Sequence, residues 1–245
     1  YEDIPIVYFG ARHYHWSQDK MIAEVALKAG AVQTSTDAGS AFIHKPGTGT
    51  IPHFLPIVLA ARYGKKQATL KATELFDHYM AVDIPRITLI DTFNRELSDG
   101  LAVARYFGSR PNALRLDTCG ENIGEGGTPY QGSGGRDPDF HTGAGVTIEL
   151  TVHLRRLLIE NGYGTATQLF LSSGFGDETK ARAFMAAHKR FQQETGLALF
   201  HGVGIGELSK AQFCTADIFE VAGRPLAKTG REITSLNGSN LQRVL

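Results

Sequence analysis

The sequence predicts an α/β protein of parallel βαβ units, closed as an α/β barrel or spread as an open sheet. Three observations predict it. Short apolar runs of strand length alternate with longer stretches at helical spacing over most of the chain. Strand candidates number about six or seven, close to the eight of a full barrel. The residues directly after those candidates are charged, hydroxylated or glycine, as at the carboxyl-end rim where such folds place their chemistry.

Taken in order, residues 4–9 (IPIVYF) read as a buried strand. Residues 17–30 read as a helix, with Ser17 as N-cap, Asp19 in the first turn and Gly30 as the stop. A short strand around residues 31–34 follows, and a second strand end is expected before Gly47. Helices are expected at 53–63 and 66–81. Pro56 is tolerated in the first of these because the opening turn has free N–H positions. Then come a strand at 86–91 (RITLID), a helix at 95–107, a strand at 113–117 (ALRLD) and a helix at 147–161. A strand at 168–172 (QLFLS), a helix at 177–195 and a strand at 197–201 (LALFH) complete the alternation. Two segments break it. Residues 120–145 form a long polar, Gly-rich loop, expected to be a loose lid. Residues 218–245 read as a hairpin turning at 222–224, then a polar tail, on a separate β-rich element. The division is therefore 1–217 and 218–245.

Composition excludes several classes. The 245 residues carry 25 basic and 25 acidic side chains, so no basic excess favours nucleic acid or an anionic membrane surface. No apolar run approaches the roughly 18 residues of a membrane span. Cys119 and Cys214 lack C-x-x-C spacing, which argues against a disulfide framework or structural zinc and fits a reducing cytoplasm. The chain opens on Tyr-Glu-Asp rather than Met, the expectation for the C-terminal portion of a longer polypeptide. Glycine, at 28 residues, exceeds the average of roughly 7% and crowds into 120–145 and the positions after the last two strands.

The rim residues suit a substrate with phosphates, a hydroxylated sugar and a metal ion. SSGFGD (172–177) and GVGIGEL (202–208) each read as a Gly-rich turn feeding a helix, where backbone N–H groups can bind an anion. Plain β-to-α turns are the alternative. Asp91 (LIDT) and Asp117 (RLDT) each end an apolar strand and could hold ribose hydroxyls or Mg²⁺; helix capping is the plainer role. Arg115 lies two residues before Asp117, on the same side of the strand, where it needs an anionic ligand or a structural ion pair. His53 precedes an apolar helix, whose N-terminus can support an attached phosphate, although a lone histidine is more often structural.

GTGTIPHFLPIVLAARYG, RLDT, FLSSGFGD and FHGVGIGEL, in that order, resemble nicotinate phosphoribosyltransferases, closest to the archaeal and bacterial branch of the nicotinate/quinolinate family. The match runs from about Ala11 to Lys228. The resemblance implies an irregular, incomplete α/β (TIM-like) barrel, with most of the family's N-terminal α/β domain absent from this chain. It implies a homodimer or higher homo-oligomer in which a partner's N-terminal domain completes each site. It implies transfer of a phosphoribosyl group from 5-phosphoribosyl-1-pyrophosphate (PRPP) to nicotinate in NAD biosynthesis, with Mg²⁺ and with ATP as co-substrate. By the same resemblance His53 is the phosphorylated histidine, Arg12 lies near pyrophosphate and Asp37 lies beside the pyridine ring. Asp91 serves ribose and Mg²⁺, and Arg115 and Asp117 face base and ribose. Ser173, Gly174, Gly202 and Gly204 take the 5′-phosphate. Where relatives read RLDSGD this chain has RLDTCGENIGEGG, and Arg136 in that loop could add a phosphate contact. A quinolinate-type decarboxylating enzyme and a non-catalytic barrel fragment are the alternatives.

Overall fold

The computed structural model of the chain describes residues 3–133, 136–206 and 217–232. Its strands are β1 (Ile6–Tyr8), β2 (Gln33–Thr34), β3 (Ile87–Leu89), β4 (Asn112–Leu116), β5 (Thr167–Leu171) and β6 (Gly202–Ile205). All six pair in parallel, in the order β2-β1-β6-β5-β4-β3. The helices are α1 (Asp19–Lys28), α2 (Asp37–Ser40), α3 (Phe54–Tyr63), α4 (Lys65–Tyr79), α5 (Glu96–Phe107), α6 (Ile148–Glu160) and α7 (Glu178–Thr195). The result is a curled half-barrel flanked by helices, an incomplete α/β barrel.

The sheet forms where the sequence is apolar without alternation, as strands covered on both faces require. Leu114, Leu116, Leu169, Leu171 and Val203 are fully buried. They share one core with Val103 of α5, Leu154 and Leu158 of α6 and Phe184 of α7. Each such side chain contributes about 1.5–3 kcal/mol by leaving water. Capping fixes the helix starts: Thr147 Oγ1 accepts from Leu150 N at 3.2 Å, and Asp177 Oδ1 from Thr179 N at 2.8 Å. Within this core Arg155 is 1% exposed, and its guanidinium donates to the carbonyls of Ala198, Thr167 and Gly164 at 2.7, 3.1 and 2.8 Å. It thereby fastens α6 to the chain entering β5 and β6.

The ring is left open between β2 and β3, and an irregular segment crosses the gap. Thr48 N donates to Thr34 O of β2 at 2.8 Å, and Ile51 N donates to Ile87 O of β3 at 3.1 Å. No strand forms before Gly47, where one was expected. The chain turns there because Asp37 Oδ1 accepts from Gly47 N at 2.8 Å.

Three further expectations are corrected. Ser17 does not cap α1: it lies in a 3-10 turn, Trp16–Gln18, and its hydroxyl meets His15 Nδ1 at 2.8 Å. The strand expected at 197–201 forms instead at Gly202–Ile205. Leu199 and Phe200 are wholly buried ahead of it, so their hydrophobicity reports core rather than ladder. The loop 120–145 is tied down rather than loose. Glu96 Oε2 accepts from Glu125 N at 2.9 Å, Glu125 Oε2 from Ser98 N at 2.7 Å, Glu149 Oε2 from Thr128 N at 2.8 Å, and Asp137 Oδ2 from Thr142 N at 2.9 Å. The carboxylates that anchor it lie partly outside the loop, on α5 and α6.

The hairpin expected at 222–224 is present. Strands β7 (Glu220–Val221) and β8 (Arg224–Pro225) are antiparallel, with Ala222 and Gly223 at φ +51° and +74°. Ile218, Val221 and Leu226 pack on Ile57, Ala60 and Ala68 of α3 and α4 and on Phe93. The polar tail beyond 232, and the short helix expected after Gly206, lie outside the described residues.

Candidate active site

Five charged or titratable side chains meet at the carboxyl ends of β3 and β4. His53 is the residue before α3. Its Nε2 lies 3.7 Å from Asp91 Oδ2, 3.6 Å from Asp117 Oδ2 and 2.8 Å from Lys228 Nζ. Its Nδ1 lies 3.0 Å from Thr92 Oγ1, and the proton's place on the ring sets which nitrogen donates. Lys228 Nζ also lies 2.5 Å from Asp91 Oδ2 and 3.3 Å from the Asp117 carbonyl. Asp91 has a wholly buried side chain, and its Oδ1 has no hydrogen-bond partner among the described residues.

Arg115 and Asp117 share a side of β4, as their spacing requires, and form an ion pair at 3.2 Å. The structural pair weighed as the plainer role therefore exists, and it sits inside the cluster. Arg115 also donates to Ser172 Oγ at 2.8 Å and Thr50 Oγ1 at 3.1 Å, and its guanidinium lies 4.7 Å from the Phe9 ring centroid. Ser172 Oγ in turn donates to Asp117 Oδ1 at 2.6 Å. Burial alone would raise the Asp117 pKa. The Arg115 charge, the His53 bond and the Lys228 charge outweigh it and hold this carboxyl well below the usual carboxylate range. Neither aspartate caps a helix: α5 starts after Arg95 and α6 after Thr147.

Beside this cluster, a cavity of about 840 Å³ occupies the barrel interior. Phe9, Thr50 and Arg115 lie at its site end, and Val7, Ile87, Ala113 and Phe170 line it below. His53, Asp91 and Asp117 stand outside its lining, so the His53 cluster and the hollow meet through Arg115 and Thr50.

The turn after β5 is built as expected. Ser173 and Gly174 are both left-handed, at φ +76° and +79°, and the turn leads into α7. The second glycine turn is corrected. Gly202 and Gly204 lie inside β6, between β5 and β1, and are needed for close packing: a Cβ would come within 2.3 Å of the Phe170 ring or 2.4 Å of the Phe9 ring. Arg12 is exposed on the 3-10 turn after β1. Asp37 opens α2, exposed, with its carboxylate on Gly47 N. Arg136 is exposed, with its guanidinium close to Gly120.

Lys228 is the site residue that the sequence reading did not name. The hairpin carries it in: Thr229 N donates to Thr92 O at 2.9 Å, and Asn122 Nδ2 donates to Thr229 O at 2.7 Å. Gly230 follows at φ +84°, where a Cβ would clash with Asn122 and Cys119. The sequence signal was PLAKTG, one lysine in a segment otherwise read as a tail.

The incomplete parallel barrel thus gathers two cations, two carboxylates and a histidine at the ends of its strands. No protein-family model matches the chain, and no curated protein is significantly similar to it. Solved structures are similar. The crystal structure of nicotinate-nucleotide pyrophosphorylase from Pyrococcus furiosus is 27% identical with a TM-score of 0.60, over 94% of this chain and 49% of that one. Nicotinate phosphoribosyltransferase from Vibrio cholerae is 16% identical with a TM-score of 0.58, over 91% and 49%. That from Porphyromonas gingivalis is 20% identical with a TM-score of 0.51, over 84% and 45%. The resemblance drawn from the motifs thus extends to three dimensions: the fold of this chain is similar to that of nicotinate phosphoribosyltransferases and a nicotinate-nucleotide pyrophosphorylase. It spans about half the length of these structures.

Proposed function

We propose that this chain carries the barrel of a phosphoribosyltransferase that joins nicotinate to PRPP, giving nicotinate mononucleotide and pyrophosphate in NAD biosynthesis. The observation that carries the reading is the His53 environment: an imidazole with Nδ1 3.0 Å from Thr92 Oγ1 and Nε2 facing two carboxylates and a lysine. With Nε2 unprotonated, it would attack the γ-phosphorus of ATP as the bond to ADP breaks and ADP leaves. Lys228 is placed to leave Nε2 for the incoming phosphate oxygens, so the ammonium that masks the nucleophile becomes the phosphate's counter-ion.

In the transfer step the pyridine nitrogen attacks ribose C1′ as the C1′–O bond to pyrophosphate breaks. Few side chains need to react; the site must align two partners and offset leaving-group charge. Arg115, backed by Phe9, supplies a planar cation for the nicotinate carboxylate or a phosphate. Asp117, kept ionised, favours the positive charge that develops at C1′. The buried Asp91 Oδ1, which has no hydrogen-bond partner among the described residues, would be the oxygen to hold a Mg²⁺. Its chemistry there would be neutralisation of the leaving group. The resemblance extends the proposal to a homo-oligomer whose partner completes the site, with Arg12 and Asp37 at that boundary.

The test is incubation with γ-labelled ATP, then PRPP and nicotinate. Label on His53, lost in His53→Ala together with ATP stimulation, supports the coupling; ATP stimulation that persists in His53→Ala refutes it. A quinolinate-type reading has its own support, since the Pyrococcus furiosus neighbour bears the name nicotinate-nucleotide pyrophosphorylase, and Lys228 adds a cation to the cluster that holds Arg115. Turnover of nicotinate against quinolinate, with carbon dioxide release measured, separates the two.

A further inference from the structure

Lys180 is a lysine that the catalytic cluster does not use. It lies in the first turn of α7 and is only 7% exposed. Its ammonium is 4.6 Å from the Phe175 ring centroid, 5.6 Å from Phe184 and 5.8 Å from Phe140. Burying an ammonium against three rings is costly unless its position serves a purpose. Its one recorded hydrogen bond goes to the Ser173 carbonyl, at 2.8 Å.

That carbonyl belongs to the left-handed pair Ser173–Gly174. Ser173 is not a glycine, so its φ of +76° is sterically unfavourable and must be held by its surroundings. Lys180 holds it from beneath. The next carbonyl, of Gly174, accepts from Asp177 N at 3.2 Å, and the Asp177 carboxylate caps Thr179 N and Lys180 N. The acceptors of the turn are therefore engaged towards the helix. Its Gly174 and Gly176 N–H groups have no acceptor among the described residues, and both glycines are exposed.

We propose that Lys180 is a positioning residue of this turn: its buried ammonium draws the Ser173 carbonyl inward, which leaves the Gly174 and Gly176 N–H groups facing the 5′-phosphate of the phosphoribosyl ligand. The inference rests on the phosphoribosyltransferase reading. It makes the turn an anion site assembled from below, in which the cation supports the phosphate through backbone and through its field. Burial pushes the Lys180 pKa down to about 8, helped by Arg136 and opposed by Asp177 and Asp117, the charged groups that face it from the loop, the α7 cap and the end of β4. Its charge is thus present at pH 7 and falls as pH rises past 8.

Ribose 5-phosphate is the probe, titrated by calorimetry and by amide NMR of the full chain. Lys180→Met is expected to weaken it about tenfold or more while leaving nicotinate affinity unchanged. Lys180→Gln keeps a donor for the Ser173 carbonyl without the charge, and should recover part of that loss. In wild type, affinity should drop between pH 7.5 and 9, a range in which the ligand's own phosphate is already fully ionised; Lys180→Gln should lack that step. Folding of each variant is checked by the dispersion of its amide spectrum, and the glutamine variant stands in if the methionine variant unfolds. Unchanged ribose 5-phosphate affinity and an unchanged pH profile in Lys180→Gln overturn the inference. A wild type that binds ribose 5-phosphate but makes no nucleotide from PRPP and nicotinate, quinolinate or nicotinamide instead refutes the functional reading, with the Lys180 comparison still decisive for the turn.

Discussion

Replacing Lys228 with Met should cost about 3 kcal/mol of stability at pH 7. The change keeps an unbranched stem in the channel between Thr92 and Asn122 but removes the ammonium. Asp91 then loses the cation 2.5 Å from its Oδ2, and its side chain is wholly buried. Breaking a buried pair by deleting one partner costs about 3–5 kcal/mol, because the remaining charge is left without compensation. The lower end applies, since the neighbouring Asp117 keeps Arg115 at 3.2 Å. The bond to His53 Nε2 and that to the Asp117 carbonyl go as well, each worth about 1 kcal/mol net and partly recovered by water. With a urea slope of about 3 kcal/mol/M, the upper end for domains, the midpoint should fall by about 1 M. A midpoint shift under about 0.2 M would show that Lys228 does not neutralise Asp91.

Arg155→Met should cost about 3 kcal/mol, since three buried carbonyls lose a charged donor; a loss under 1 kcal/mol by urea denaturation would contradict its role as the tie between α6 and the entries to β5 and β6. Burial raises the Glu96 pKa to about 7, against the opposing bonds from Glu125 N and Thr118. Its folded pKa is thus above its unfolded one, so the stability it contributes is complete below about 4.5 and is lost as pH rises through 7. Glu96→Gln should therefore gain on wild type as pH rises from about 4.5 to 7 in thermal unfolding, and a constant difference across that range would refute the shift. Gly204→Ala would put a Cβ 2.4 Å from the Phe9 ring and should push Phe9 off Arg115, raising the KM for nicotinate several-fold; an unchanged KM would remove Phe9 from the binding site.

The helices and the buried strands were legible because each is written locally. ITL at 87–89 and TQLFL at 167–171 are short apolar runs between polar punctuation, and Asp177 announces α7 by its own carboxylate. The Arg115–Asp117 pair followed from strand alternation alone. What failed depended on partners distant in sequence. LALFH looked like a strand because buried core and buried ladder have the same composition, and only the register against β1 and β5 shows that the glycines are the paired residues. Glycine there serves the close approach of Phe9 and Phe170, information held nearly 200 residues away for Phe9. The loop 120–145 looked loose because its fasteners, Glu96 and Glu149, belong to flanking helices. Lys228 was invisible as a site residue for the same reason: its meaning lies in Asp91 and His53.

The crossing at residues 48–51 bears on how this barrel can yield. Between β4 and β5 the ladder runs through five residue pairs, whereas at the opening, among the described residues, Thr48 N and Ile51 N make the backbone bonds to β2 and β3. Parting them costs on the order of 2 kcal/mol, two amide bonds at about 1 kcal/mol each. Thr50 and His53 are attached to that same stretch, so His53 and one Arg115 contact ride on a thinly bonded joint of the ring. Amide exchange should find Thr48 and Ile51 opening well before β4 and β5.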